Sequence, residues 1–173
     1  MKKNIIVITG GAGFVGSNLI TLLLKKTKFK IISIDNYSTG KKKNHVKNKR
    51  VNYIKDNTKN INQILKKKVN KIKTIFHFGE FSRIYQSFLS MNECISSNTI
   101  GSNEVFNFCL TNKIKLVYSA TSASIGNQGS DKNLSPYAFT KAKNLELLEN
   151  LKKWFNFKFE IIYFYNVYGP GQI

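Results

Sequence analysis

Tyr137 and Lys141 stand four residues apart in Ser135-Pro136-Tyr137-Ala138-Phe139-Thr140-Lys141. Pro136 suits the first turn of a helix, and an i, i+4 spacing projects both side chains from one face. A phenol that titrates near 10 is a weak base at neutral pH, but a neighbouring ammonium favours the phenolate. The pair is therefore suited to taking a proton from a hydroxyl and returning it. Thr121, in the expected hydroxyl-rich loop Ser119-Ala120-Thr121-Ser122-Ala123-Ser124-Ile125-Gly126, is placed to hydrogen-bond the same oxygen. A tyrosine and a lysine at this spacing also arise by chance in a lysine-rich chain, so their meaning depends on what precedes them.

What precedes them is a nucleotide-binding pattern. The apolar run Ile5 to Ile8 enters Thr9-Gly10-Gly11-Ala12-Gly13-Phe14-Val15-Gly16 and leaves as an apolar-periodic segment, which reads as strand, tight turn and helix start. Gly10 serves the turn, Gly13 the approach of a diphosphate, and Gly16 close packing of helix on strand. The diphosphate would sit on the helix N-terminus. Asp35 closes the second strand about 20 residues on, where an acid binds the adenosine ribose and disfavours a 2′-phosphate. The pattern thus prefers NAD to NADP, and an oxidised nicotinamide beside Tyr137 would further favour its phenolate.

The elements that must hold these groups alternate between buried-strand runs and helix-period segments, the mark of a parallel sheet covered on both faces. Strands are expected at Asn4 to Thr9, Lys30 to Asp35, Val51 to Ile54, Ile72 to Phe78, Ile114 to Ser119 and Phe159 to Phe164. Helices are expected from Gly13 to Lys26, Ile61 to Lys68, Asn92 to Thr111 and Pro136 to Phe155. Leu145, Leu148, Leu151 and Trp154 of the last helix read as core or subunit-interface residues. Asp56 follows the third strand, placed to meet the adenine edge. Gly79 follows the fourth, where open α/β sheets bind ligands. His77 reads as a packing or hydrogen-bonding residue in preference to a catalyst. Asn98 is placed to bond backbone beside the site.

Length and composition describe one α/β domain over residues 1–173, large enough for a core of its own. Cys94 and Cys109 lack metal-ligand spacing and read as reduced, buried thiols, and no metal is expected. No apolar run reaches the roughly 18 residues of a membrane span, and Met1-Lys2-Lys3-Asn4 leads at once into a strand without a cleavage pattern, so a cytoplasmic protein is expected. The formal charge of +19 would ordinarily point to nucleic acid or an anionic membrane. The lysines, however, are spread over nearly every segment. The densest run, Lys41 to Arg50, has no interleaved aromatic to stack on bases, so it reads as a solvated loop.

Six motifs in order carry a resemblance: Thr9 to Gly16, Asp35-Asn36 with Ser38-Thr39-Gly40, His77-Phe78-Gly79, Val117 to Gly126, Tyr137 with Lys141, and Asn166 to Gly169. Over nearly its whole length the chain resembles the cofactor half of an extended short-chain dehydrogenase/reductase of the NAD-dependent sugar-nucleotide epimerase/dehydratase family, in its UDP-glucose 4-epimerase branch. The resemblance implies a Rossmann fold with Gly10, Gly13, Phe14, Val15 and Gly16 along the diphosphate of NAD. It places Asp35 and Asn36 at the adenosine ribose, Asp56 and Asn57 at the adenine, and Phe78 and Gly79 against the cofactor. Tyr137 becomes the catalytic tyrosine, Lys141 the residue holding the nicotinamide ribose, Thr121 the hydroxyl partner, and Asn166 a contact to the nucleotide-sugar diphosphate. It further implies a UDP-sugar substrate and a homodimer formed through the segments Asn92 to Thr111 and Pro136 to Phe155.

Three departures from the family pattern matter. Ser122 and Ala123 follow Thr121 where dehydrating members carry an acid, which favours epimerase-type over 4,6-dehydratase-type chemistry, so C4 epimerisation through a 4-keto sugar is expected, with a 4,6-dehydratase or a ketoreductase as the alternative. Gly79-Glu80-Phe81-Ser82-Arg83 replaces a run of small residues and leaves the role of Glu80 open. The family's C-terminal substrate domain has no counterpart here, so a truncated chain is expected, and a non-catalytic NAD-binding module stands as the alternative.

Overall fold

β-branched and apolar runs dominate the centre of the molecule because strands covered on both faces have no side left for polar residues. In the computed structural model, which describes residues 3–169 and 172, β1 (Ile5–Thr9) is buried throughout and β2 (Lys30–Asp35) in all but its first residue. Met1, Lys2, Pro170, Gly171, Ile173 and the Ser124 side chain, which figure in the expectations above, lie outside the described residues. β1 and β2 pair in parallel, with Ile5 opposite Lys30 and Thr9 opposite Ile34. With β3 (Val51–Lys55), β4 (Ile72–His77), β5 (Lys115–Thr121) and β6 (Phe159–Phe164) they form a 6-stranded parallel sheet in the order β3-β2-β1-β4-β5-β6. This is the doubly wound Rossmann arrangement that the alternating pattern predicts. The order reverses between β1 and β4, and open α/β sheets bind ligands outside the strand ends at that switch.

Alternation along β1 divides the core. Ile5 and Val7 pack with Phe106, Leu116 and Leu148, while Ile6 and Ile8 pack with Ile20 on the opposite face. Ile20 belongs to α1 (Phe14–Lys26), whose last turn carries Lys25 and Lys26 where the helix dipole favours cations. Leu148 belongs to α6 (Pro136–Phe155). That helix starts where predicted because the Ser135 hydroxyl accepts from the Ala138 N–H and Pro136 fits the first turn; left-handed Asn156 closes its far end. Within α6, Leu148 is core and Leu145 and Leu151 are partly buried, but Trp154 is 63% exposed.

Three expectations need correction. The segment predicted as Ile61 to Lys68 is the shorter α2 (Ile61–Leu65), entered by a 3-10 turn at Thr58–Asn60. The helix predicted from Asn92 to Thr111 is preceded by α3 (Ile84–Leu89) and is itself composite: α4 (Met91–Ile95), a π-helical stretch Ser96–Gly101, and α5 (Ser102–Thr111). The widened turn accommodates Asn98, whose amide bonds both backbone groups of Phe81, and such insertions often mark functional sites. Finally, β5 runs on to Thr121 because Ser119, Ala120 and Thr121 pair with Ile162, Tyr163 and Phe164 of β6, so Thr121 ends a strand instead of lying in a loop. Cys94 and Cys109 are buried free thiols.

Candidate cofactor cleft and proton-transfer site

A cleft of about 1140 Å³ opens at the carboxyl ends of the strands, larger than the usual pocket for a drug-sized ligand. Every site residue named from the sequence lines it. Gly10, Gly13, Phe14, Val15 and Gly16 lie at its β1 side, Asp35, Asn36, Asp56 and Asn57 at its β2–β3 end, and Phe78, Gly79, Thr121, Tyr137, Lys141 and Asn166 at its β4–β6 end.

The glycine turn is built as its spacing implies, with one difference. Gly10 takes a φ of +73°, and the Gly13 N–H donates to its carbonyl at 3.1 Å. A side chain on Gly16 would strike the Gly10 carbonyl and Gly11 Cα, so this glycine lets the helix press on the turn's own backbone and not on the strand. Gly13, the N-cap of α1, contributes no side-chain acceptor, and the helix has no acid in its first turn. The amides there are available to an anion.

At the other end, both carboxylate oxygens of Asp35 are anchored by backbone: Oδ2 accepts from the Ala12 N–H at 2.9 Å and Oδ1 from the Tyr37 N–H at 2.8 Å. Each oxygen keeps a lone pair for a ligand hydroxyl. Asn36 folds back on the Ser38 N–H, Asp56 accepts from the Asn57 N–H and Asn60 Nδ2, and Asn57 caps the 3-10 turn through the Lys59 N–H. The basic loop is less free than its composition implies. Lys41 and Asn44 line the cleft, Asn44 Nδ2 donates to the Ala12 carbonyl at 2.9 Å, His45 stacks on Tyr53 at 3.7 Å, and the Arg50 guanidinium caps α1 through the Leu24 and Thr27 carbonyls. Polar composition alone gives no sign of such long-range backbone capping.

Thr121, Tyr137 and Lys141 come together across β5 and α6, but the phenol is not lowered as the nearby ammonium predicts. Burial raises the Tyr137 phenol above its ordinary value, opposed by a hydrogen bond from Thr121 and reinforced by the negative charge of Glu80. Lys141, 3% exposed, lies 4.4 Å from the Tyr118 ring centre, donates to the Ser119 carbonyl and pairs with Glu80. Burial pulls its ammonium below the ordinary 10.5, and Glu80 opposes that pull. His77 is fully buried and bonded to Thr9 and Ser102, which agrees with the packing role read from the sequence. Asn98 bonds the Phe81 backbone as expected and also reaches Thr140. Ser102, Tyr118 and Asn144 join the site with no motif to mark them; their only signal in the sequence is polarity at otherwise apolar positions.

Residues 6–173 match the family model described as NAD dependent epimerase/dehydratase family. The chain belongs to that family. Among solved structures it is similar to the UDP-glucose 4-epimerase of Thermus thermophilus in complex with NAD, at 23% identity and a TM-score of 0.86, covering 98% of this chain and 57% of that one. It is also similar to the UDP-N-acetylglucosamine 4-epimerase of Methanobrevibacter ruminantium M1 in complex with UDP-N-acetylmuramic acid, at 27% identity and a TM-score of 0.82, covering 98% and 57%. A third likeness is the Bordetella bronchiseptica enzyme WbmF in complex with NAD+, at 25% identity and a TM-score of 0.86, covering 99% and 52%. This member of the epimerase/dehydratase family thus spans between half and three fifths of the length of these structures. Among the described residues no helix is long and apolar enough to cross a membrane, and no cluster of side chains could hold a metal ion.

Proposed function

We propose that the protein carrying this chain is an NAD-dependent nucleotide-sugar 4-epimerase, with the cleft as the NAD site and Tyr137 as its acid and base. The observation that carries the reading is the meeting of Thr121, Tyr137 and Lys141 at one end of a cleft whose other end holds the anchored carboxylate of Asp35.

The residues present fit the cofactor. A Cβ on Gly10 would stand 2.7 Å from the Phe78 backbone, so Gly10 and Gly79 let the ends of β1 and β4 close against one another at the floor of the cleft. Phe14 through Gly16 offer uncapped amides to a diphosphate, Asp35 offers acceptors to ribose hydroxyls and repels a 2′-phosphate, and Asp56 with Asn57 borders the adenine end. Bound NAD would supply the acceptor and donor of hydride at the sugar C4. Tyr137 removes the C4 hydroxyl proton and later returns it, while Thr121 holds the same oxygen and steadies the developing charge. Lys141 donates to a ribose hydroxyl, and the Thr121 hydrogen bond, which lowers the phenol, favours the phenolate. Ser122 and Ala123, in place of an acid after Thr121, favour epimerisation over dehydration. A UDP-sugar substrate contacting Asn166 and a cytoplasmic homodimer belong to the same reading. Exposed Phe139, Trp154 and Phe155 on α6 support self-association.

Calorimetric titration with NAD and NADP, followed by incubation with UDP-glucose and product analysis, tests the proposal. Tighter binding of NAD and a C4-epimerised product, lost in Tyr137→Phe with NAD binding retained, are expected. An accumulating keto-sugar would overturn the 4-epimerase assignment in favour of a dehydratase, and NAD binding without turnover would leave only the cofactor-binding module.

A further inference from the structure

We propose that Glu80 is a positioning residue for Lys141, keeping the buried ammonium charged and fixed so that it retains one N–H for a ligand in the cleft. The proposal rests on the reading of Lys141 given above and extends it to a residue outside the expected site.

The side chains of Glu80 and Lys141 are 3% and 4% exposed. An isolated carboxylate at such a depth would take up a proton, and an isolated ammonium would lose one. Here four donors converge on Glu80. Lys141 Nζ bonds Oε2, while Oε1 accepts from Ser102 Oγ at 2.6 Å, Tyr118 Oη at 3.0 Å and Asn144 Nδ2 at 3.0 Å. Burial alone would push this carboxyl up; Lys141, His77 and Ser102 more than offset it and hold it below its ordinary value. The carboxylate is therefore the ionised form.

The hydrogens behind Ser102 can be assigned by counting. Thr9 Oγ1 accepts the N–H groups of Phe78 and Gly79 at 3.1 and 2.9 Å, so its own proton goes to His77 Nδ1 at 2.7 Å. His77 Nε2 then carries the ring proton and donates to Ser102 Oγ at 3.0 Å, and Ser102 must donate onward to Glu80. A directed chain thus runs from the end of β1, through Thr9, His77 and Ser102, to Glu80 and Lys141. Ser102 therefore gives its one proton to Glu80, which is bonded at both carboxylate oxygens. Lys141 spends two donors on Glu80 and the Ser119 carbonyl; the third has only a 3.4 Å contact to Ser119 Oγ. That weakly engaged N–H belongs to a residue lining the cleft. The other titratable groups facing the pair are His77 on β4, Cys94 on α4, Tyr118 on β5 and Tyr137 on α6, with Arg83 and Asp131 lining the same cleft.

The test is the titration of Lys141 itself, by NMR of protein labelled at lysine Cε, with the resonance assigned by its loss in Lys141→Met. In Glu80→Gln, Lys141 is expected to titrate roughly 1–3 units lower than in the wild type, the range of effect of one close opposite charge. Ser102→Ala, which leaves the charge but removes a brace, is expected to shift it less in the same direction. An unchanged Lys141 titration in a folded Glu80→Gln protein would overturn the proposal. Should Glu80→Gln not fold, Glu80→Gln combined with Lys141→Met is expected to recover a cooperative melt, because a buried pair removed together leaves no unpaired charge. A double variant as unfolded as the single one would overturn it equally. The titration is read without cofactor or substrate, so it can fail while the epimerase reading stands and succeed in a protein with no turnover.

Discussion

Gly10 and Gly79 face one another across the ends of β1 and β4, and neither has room for a methyl group. A Cβ on Gly10 would lie 2.8 Å from the Gly79 nitrogen, and a Cβ on Gly79 would lie 2.8 Å from the Gly10 nitrogen. Gly10 also takes a φ of +73°, which an L side chain enters at a cost of about 1–2 kcal/mol before any clash. Gly10→Ala is therefore expected to lower stability by about 2–4 kcal/mol and Gly79→Ala, whose penalty is overpacking alone, by about 1–3 kcal/mol. Urea unfolding of both variants checks the order: Gly79→Ala destabilising more than Gly10→Ala would contradict it.

Arg50 ties the basic loop to α1. Its Nη1 donates to the Thr27 carbonyl and its Nη2 to the Leu24 carbonyl, both at 2.6 Å, at the end of the helix where carbonyls lack intrahelical partners and cations are favoured. Arg50→Met is expected to cost about 1–3 kcal/mol. Arg50→Lys should recover less than half of that, since an ammonium cannot reproduce the fork. Full recovery by lysine would show that charge, and not the two-pronged bond, is what matters.

The contrast between Arg50 and α6 shows what a sequence reading can reach. Ser135, Pro136 and the apolar period of Leu145, Leu148 and Leu151 are local signals, and α6 begins and ends where they place it. The glycine turn and Asp35 are local in the same sense, each marked by residue type at a strand end. Glu80 and Lys141 lie 61 residues apart, Arg50 reaches back across 23 and 26 residues, and the π turn forms around an Asn98 that bonds Phe81. None of these contacts leaves a periodic trace. The chain shows which elements exist and which side chains are chemically able; the partner of each buried charge is set only when the sheet order brings distant loops together.

Asp35 bears on cofactor choice. The residue is 9% exposed, and its carboxylate, held by the Ala12 and Tyr37 amides, borders the cleft, so a 2′-phosphate would meet an anchored like charge. Asp35→Asn removes the charge while keeping the shape. NAD affinity is expected to fall about tenfold with the loss of a charge-assisted bond, and the preference for NAD over NADP to narrow by at least as much. Titration of both nucleotides into wild type and variant decides it; an unchanged ratio would move the discrimination elsewhere.

His77 makes stability depend on pH in a window of its own. The ring is fully buried, and burial pulls its pKa down from 6.5 to about 4, with Glu80 opposing and Lys141 assisting. Between those values the unfolded chain binds a proton that the folded chain does not, so stability rises with pH there. The contribution is complete above about 6.5 and is lost as pH falls toward 4, reaching roughly 3 kcal/mol. Glu80, whose carboxyl lies below its ordinary 4.5, loses its share only at lower pH. The other histidine, His45, is also lowered by burial but is partly exposed and contributes less. Urea midpoints for the wild type are therefore expected to fall steadily from pH 6.5 to 4.5. Those of His77→Gln, although lower throughout, should stay nearly level across the same range. Parallel curves for the two proteins would mean that the proton taken up on unfolding binds elsewhere and that His77 is not the neutral donor to Ser102 on which the bracing of Glu80 depends.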